Sequence, residues 1–169
     1  MVEDMLAELE ALRKQDTNRR ETDAQESAAV SALLSLEAPR VYGEFLGLFE
    51  KAARLNKIAG ITMWLERSQG DRRCAQFFIR FPSKRLGGPA NETTMLTIRL
   101  VSKDNAIILD SDGGGRETLP LSVDYGTVVL WRNEVGIRNA TQMEEACTSI
   151  LKPLLVEAMG LSEQRTATF

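Results

Sequence analysis

The sequence predicts an α+β domain in which an antiparallel sheet of five or six strands packs against N-terminal and C-terminal helices as a two-layer sandwich. Apolar residues recur at helical spacing before residue 58 and after residue 140, and they alternate with polar residues between these limits. The length of 169 residues suits one domain. We interpret residues 1–22 as an N-terminal helical extension or linker, residues 23–160 as the domain, and residues 161–169 as a flexible tail.

The N-terminal extension carries an apolar seam, formed by Val2, Met5, Leu9 and Leu12. Their alternating spacing of three and four residues is that of a coiled coil, although two heptads are marginal by themselves. The polar stretch KQDTNRRETDAQES then interrupts the seam. We predict that the seam serves dimerisation or docking on a partner. The alternative is a helix that folds back on its own domain, or a frayed end.

Two helices are predicted between the extension and the sheet. The first begins at the capping sequence DAQE, Asp23 to Glu26, and Pro39 is expected to separate it from the second. The second helix has a broad apolar face, which predicts that it packs on the sheet. That face contains Val41, Tyr42, Phe45, Leu46, Phe49, Ala52, Ala53 and Leu55.

The strands are predicted from alternation and from turn sequences. GITMWLER and CAQFFIRF form a hairpin through RSQGDR, with Phe77 and Ile79 on the core face and Trp64, Phe78 and Arg80 on the outer face. The tight turn KDN joins TTMLTIRLVS to AIILDS. TVVLWRN supplies a further strand, and the weaker patterns in TLPLSV and VGIR leave the total at five or six.

The chain closes with a predicted amphipathic helix. Thr141 and Glu144 have the spacing of a capping box, which places the start of the helix there. Pro153 is expected to bend the helix over the sheet, and Gly160 is expected to end it.

The composition excludes several kinds of chemistry. The chain has no histidine, so catalysis by Ser-His-Asp or Cys-His groups is ruled out and imidazole-based metal sites are absent. Cys74 and Cys147 do not form a metal-binding or redox spacing. We predict no cofactor. Without a signal-peptide or membrane-span pattern, we expect a cytoplasmic protein that has no membrane partner.

Basic residues concentrate in the middle of the chain. Residues 58–103 carry 8 Lys and Arg against 3 Asp and Glu, although the pI of the whole chain is near 5.2. Basic side chains and aromatic rings on the hairpin 67–85 are the combination with which sheet surfaces bind nucleic acid or another polyanion, and we keep this as an alternative function. The alternative is a charged outer face or a protein interface. The candidate residues are Trp64, Arg67, Arg72, Arg73, Phe78, Arg80, Lys84 and Arg85.

The acidic pair Asp110 and Asp112 precedes three glycines and is the candidate metal site. The stretch lacks the ligands of an EF-hand and the lysine of a phosphate-binding loop. Two carboxylates on one side of a strand end can still hold magnesium loosely, which suggests a magnesium-dependent enzyme or nucleotide binder. The alternative is a glycine-rich connection without a ligand.

These patterns favour a non-catalytic, oligomeric protein-interaction domain, with polyanion binding and magnesium chemistry as the alternatives. The order of elements is similar to that of profilin-like sensor and adaptor domains and of the small acidic chaperones of secretion systems. This similarity implies an adaptor- or chaperone-like role. The chaperones interrupt their strands with a central helix that this sequence does not contain, and no motif is shared with either group.

Overall fold

The computed structural model describes residues 1–83, 92–112 and 115–160. It confirms the α+β class, with a long N-terminal helix, an antiparallel sheet and a C-terminal helix. The sheet has seven strands, so the predicted number of five or six is wrong. The helices are α1 (Val2–Leu55) and α2 (Ala140–Ala158). The strands are β1 (Thr62–Arg67), β2 (Cys74–Pro82), β3 (Thr93–Lys103), β4 (Ala106–Ser111), β5 (Arg116–Asp124), β6 (Thr127–Arg132) and β7 (Val135–Ile137).

The sheet is a meander in which each strand pairs with the next one along the chain. Three of its turns place two successive residues at positive φ, as in Asp104 (53°) and Asn105 (54°) between β3 and β4. This conformation is that of the two-residue type I′ turn, which matches the twist of antiparallel strands. The tight KDN turn predicted from the sequence is therefore confirmed.

The miscounted strands are the two with the weakest patterns. β5 contains Pro120, which cannot donate a backbone hydrogen bond, and the strand changes partner there. It pairs with β4 as far as Pro120 and with β6 from Leu121 onward. β7 has only three residues, including Gly136, which is too short for alternation to show.

α1 is one continuous helix, so the predicted separation at Pro39 does not occur. Pro39 has no N–H to donate to the carbonyl of Ser35, which costs one helical hydrogen bond. Buried side chains on both sides of the proline, Leu34 and Val41, fix the helix to the sheet across this point. At 54 residues, α1 is about 81 Å long at the usual rise per residue.

The core lies between one face of the sheet and the C-terminal part of α1, with α2 beside it. Phe45, Phe49 and Phe77 are fully buried at its centre. Their rings meet edge to face, with centroids 5.2 Å apart for Phe45 and Phe49 and 5.1 Å apart for Phe49 and Phe77. The prediction that this part of α1 packs on the sheet is confirmed.

The N-cap of α2 is Asn139, two residues before the predicted cap, Thr141. The Asn139 side chain accepts a hydrogen bond from the N–H of Gln142 (2.8 Å), and the Gln142 side chain accepts one from the N–H of Arg138 (2.7 Å). This reciprocal pair takes the place of the predicted Thr141–Glu144 capping box. Gly160 has the positive φ (67°) expected just after a helix end.

Neither described helix contains an apolar stretch long enough to cross a bilayer. Cys147 of α2 is buried against α1, and burial raises the pKa of its thiol to about 12, with the nearby Glu144 carboxylate adding to the effect. The thiol is therefore neutral at physiological pH. Cys147 belongs to the core, as its apolar surroundings require.

Candidate functional site

The N-terminal part of α1 extends away from the domain. Every residue from 1 to 32 is exposed, and the first buried residue is Leu34. We call residues 2–33 the arm. The arm is helical throughout, including the polar stretch that follows the seam. It does not fold back on its own domain.

The four seam residues predicted from the sequence all lie on the arm and are exposed, between 51% for Met5 and 66% for Val2. Leu6 adds a fifth large apolar side chain that the seam pattern missed. Leu6 lies one turn before Leu9, at the edge of the same apolar stripe. A search limited to the two seam positions of each heptad therefore misses it. An apolar stripe on a solvent-exposed helix is typical of a helix that pairs with another chain.

The basic hairpin residues do not form a single surface. Arg67, Arg72 and Arg73 lie at the β1–β2 turn, whereas Arg80 lies further along β2 on the outer face of the sheet. Lys84 and Arg85 lie outside the described residues. The candidate polyanion surface therefore divides into a group at the turn and a group on the outer face.

At the β1–β2 turn the arginines border a cleft of about 580 Å³, which we call the basic cleft. One wall is α1 from Ser35 to Gly43, and the other is formed by the β1–β2 and β3–β4 turns. Its cationic residues are Arg67, Arg72, Arg73 and Lys103. The sequence did not link Lys103 to the arginines. In an antiparallel meander, however, the first and third turns lie at the same end of the strands. This rule alone places Lys103 near the arginines.

Acidic residues balance part of this positive charge. Arg67 donates two hydrogen bonds to a carboxylate oxygen of Glu50, at 2.9 and 3.1 Å, and Arg73 lies 3.8 Å from the carboxylate of Asp71. Asp104 also lines the cleft. The cleft still presents more cationic than anionic groups, so it favours an anionic ligand.

Tyr42 lies at the floor of the basic cleft and is 3% exposed. Its hydroxyl donates a hydrogen bond to the carbonyl of Leu100 (2.7 Å). Burial raises the pKa of the phenol well above its ordinary value, so the hydroxyl stays protonated and keeps this hydrogen bond. Tyr42 fixes α1 to β3, and its hydroxyl is committed to that structural bond.

The outer face of the sheet carries the aromatic residues of the hairpin. Trp64 and Phe78 are half-buried and stacked on each other, with centroids 5.1 Å apart, and the Arg80 guanidinium lies 4.9 Å from the Trp64 ring. The predicted division of the hairpin into a core face and an outer face is confirmed. Because these rings stack on one another and on Arg80, less of their surface is open to an incoming base than in a row of separate rings.

Asp110 and Asp112 lie at the end of β4 and just beyond it, and both are exposed. In the sheet register Asp110 lies between Arg99 of β3 and Arg116 of β5, so its nearest cross-strand neighbours are cationic. Among residues 1–83, 92–112 and 115–160 there is no group of three or more Asp, Glu, Cys or His side chains placed to hold a metal ion. Magnesium binding at this pair stays a prediction.

A smaller cavity of about 300 Å³ lies between α2 and the β3–β5 part of the sheet. Arg116 and Arg132 line it, and Arg132 donates hydrogen bonds to the Glu117 carboxylate (2.6 Å) and to the Ser149 hydroxyl (2.9 Å). This ion pair fixes β6 to β5 and α2. The arm, with its exposed apolar seam, and the basic cleft, with its excess of cationic residues, are therefore the two candidate surfaces.

No protein-family model, curated protein or solved structure matches the chain.

Proposed function

We propose that the protein is a non-catalytic protein-interaction domain, adaptor- or chaperone-like, that self-associates through its arm. One observation carries this proposal: an arm of about 30 residues extends from the domain with its large apolar side chains exposed. The outer face around Trp64 and Phe78 is the second proposed contact surface.

Physical arguments support an arm that is covered in solution. An isolated helix in water has only its backbone hydrogen bonds and local ion pairs, such as Arg20 with Asp16 (3.2 Å), and such exposed pairs contribute little. Each leucine of the seam gains about 1.5–3 kcal/mol when fully buried. A second chain packed on the seam therefore stabilises both the helix and the contact.

The absence of histidine supports a non-catalytic role, because no imidazole is available as a general base or nucleophile partner. Tyr42 and Cys147, whose pKa values are displaced by burial, are both structural. Neither lies within a cluster of groups that a reaction needs.

Light scattering during size exclusion tests the proposed self-association. We expect the full chain to have at least twice its single-chain mass of 18.8 kDa, and a chain that lacks residues 1–22 to be a monomer. The truncation removes the whole seam and leaves Leu34 and the core in place. A full chain that is a monodisperse monomer of 18.8 kDa, with the same oligomeric state after the truncation, would contradict the proposal.

The second candidate function is polyanion binding at the basic cleft, which the convergence of Arg67, Arg72, Arg73 and Lys103 favours. Two of these cations, Arg72 and Lys103, come from different turns and line the same cleft. Phosphate contacts of this kind lose affinity steeply as salt is added.

Binding of a fluorescent single-stranded oligonucleotide measures this second function. We expect Arg72→Glu with Arg73→Glu to weaken binding about tenfold or more at low salt, because two cationic contacts become repulsive. The matched control is Arg54→Glu with Lys57→Glu, which makes the same charge change on exposed residues at the other end of the helix. Equal losses in both variants, or binding that salt does not change, would argue against a specific site.

A further inference from the structure

The charged residues of the arm fall into blocks along the helix. Residues 1–12 contain only acidic charges, at Glu3, Asp4, Glu8 and Glu10. The charged residues within 13–20 are basic except for Asp16, and those within 21–26 are again acidic. Residues 27–36 carry no charge and are mostly apolar, with the sequence SAAVSALLSL. A helix with such blocks has a preferred direction for pairing with its own copy.

The seam lies on the same side of α1 as the residues that pack on the sheet. Leu9 and Phe45 are 36 residues apart, which is about ten turns at 3.6 residues per turn, so the two side chains point in nearly the same direction. A helix laid along the seam therefore runs toward the end of the sheet. That end of the sheet contains the basic cleft, whose helical wall begins at Ser35.

We propose that a second copy of this chain covers the arm in an antiparallel pair, with residues 2–12 of one copy against residues 27–36 of the other. This inference rests on the proposed self-association and gives it a direction. A parallel, in-register pair would set each block beside an identical block, acidic against acidic and basic against basic. The antiparallel pair sets the acidic, apolar seam against the uncharged, apolar segment.

The antiparallel pair also sets the basic block of one copy beside the acidic block 21–26 of the other. When Leu9 of one copy is level with Val30 of the other, Arg13 is level with Glu26, and the two-fold symmetry repeats this contact. Arg19 of one copy is level with Arg20 of the other beside the symmetry axis, and Asp16 is level with Asp23. Each arginine lies within one turn of an Asp16 or an Asp23 of the other copy, which compensates the repulsion within both like-charged pairs.

The acidic tip of the arm reaches the basic cleft in this register. Asp4 of one copy is level with Ser35 of the other, where the helical wall of the cleft begins. Glu3 and Asp4 thereby approach the cations of the cleft, among them Arg72 and Lys103. The cleft, the seam and the charge blocks are separate features. The same antiparallel register covers the seam, pairs the blocks and brings the acidic tip to the cleft.

The length of the contact is that of a stable interface. Antiparallel pairing over residues 2–36 makes a contact about 50 Å long, whereas pairing of the seam alone covers two heptads. Stable interfaces use about 20–30 residues on each side, and isolated helices shorter than about 12–15 residues are marginal in water. The longer, antiparallel contact meets this requirement.

Spin labels on single cysteines distinguish the two directions. Ala11→Cys and Asn18→Cys place labels one heptad apart on exposed positions away from the seam, in a Cys74→Ser, Cys147→Ala background. In the antiparallel pair, the two labels are separated along the helix axis by about 21 Å more at position 11 than at position 18. Because the lateral separation between the two helices adds to both distances, the measured distance is longer at position 11 by roughly 10 Å. Parallel pairing gives equal distances.

Each outcome of this measurement is decisive. A longer distance at position 11 supports the antiparallel pair, and equal distances overturn it while leaving self-association intact. Absence of dipolar coupling in a chain of monomeric mass overturns the proposed function itself.

A charge exchange tests the contact between tip and cleft. We expect Arg72→Glu with Lys103→Glu to weaken the dimer at least severalfold, and Glu3→Lys with Asp4→Lys in the same chain to restore it. A loss that the second pair of changes does not restore overturns this contact.

Discussion

A chain carrying Leu9→Glu and Leu12→Glu is expected to be a monomer at concentrations at which the unchanged chain is a dimer. Each leucine contributes about 1.5–3 kcal/mol when buried, so self-association should weaken at least about 100-fold. The substituted arm also loses its partner and should lose helicity. Sedimentation equilibrium measures the association, and far-ultraviolet circular dichroism measures the helix content.

The matched control for this experiment is Ala7→Glu with Ala11→Glu. These two residues are exposed on the opposite side of the same helix and receive the same added charge. The control should remain a dimer, because neither side chain lies on the seam. If both variants dissociate to the same extent, general acidity of the arm rather than the apolar seam governs association.

Phe49→Ala should lower the free energy of unfolding by about 3–5 kcal/mol, the usual range for a fully buried phenylalanine. Phe49 is 0% exposed and makes edge-to-face contacts with both Phe45 and Phe77. Its removal leaves a cavity at the junction of α1 and the sheet. Urea unfolding monitored by tryptophan fluorescence measures the change.

Phe78→Ala is the comparison for the core substitution. Phe78 is half-buried on the outer face and stacks on Trp64, so it should cost clearly less than Phe49. Equal losses for the two substitutions would mean that α1 and the sheet do not share the core that the structure describes.

The sequence was sufficient for the parts of the fold that depend on local patterns. The alternation in β2 places Phe77 and Ile79 on the core face, and the type I′ turn at Asp104 and Asn105 sets the register of β3 and β4. Both features act within a few residues, so a single sequence carries them. The strand count failed at β5 and β7, where Pro120 and a three-residue length obscure the pattern.

The continuous helix depends on packing that the sequence does not display. Pro39 is a strong local signal for a break, and the helix passes through it because Leu34 and Val41 are both held on the sheet. At α2, Asn139 and Thr141 are both good caps, and the choice falls on Asn139 because Gln142 returns a second hydrogen bond to the backbone. In both places tertiary or reciprocal contacts outweigh a local preference.

The candidate site was predictable in its parts and not in its assembly. Spacing alone identified the seam and the arginines of the first hairpin. The cleft required the β1–β2 and β3–β4 turns to meet beside α1, which brings Arg72 and Lys103 to one place from distant parts of the chain. The same arrangement separates Arg80 from the arginines of the turn and places it with Trp64 on the outer face.

Hydrogen exchange of the arm amides at a series of protein concentrations tests most directly whether the arm is covered by a second copy. We predict that exchange across residues 5–33 slows as concentration rises, while exchange in the β2 and β3 core stays constant, because only the arm gains its protection from association. An arm that exchanges at the same fast rate at every concentration, beside a protected sheet, would contradict the proposed self-association.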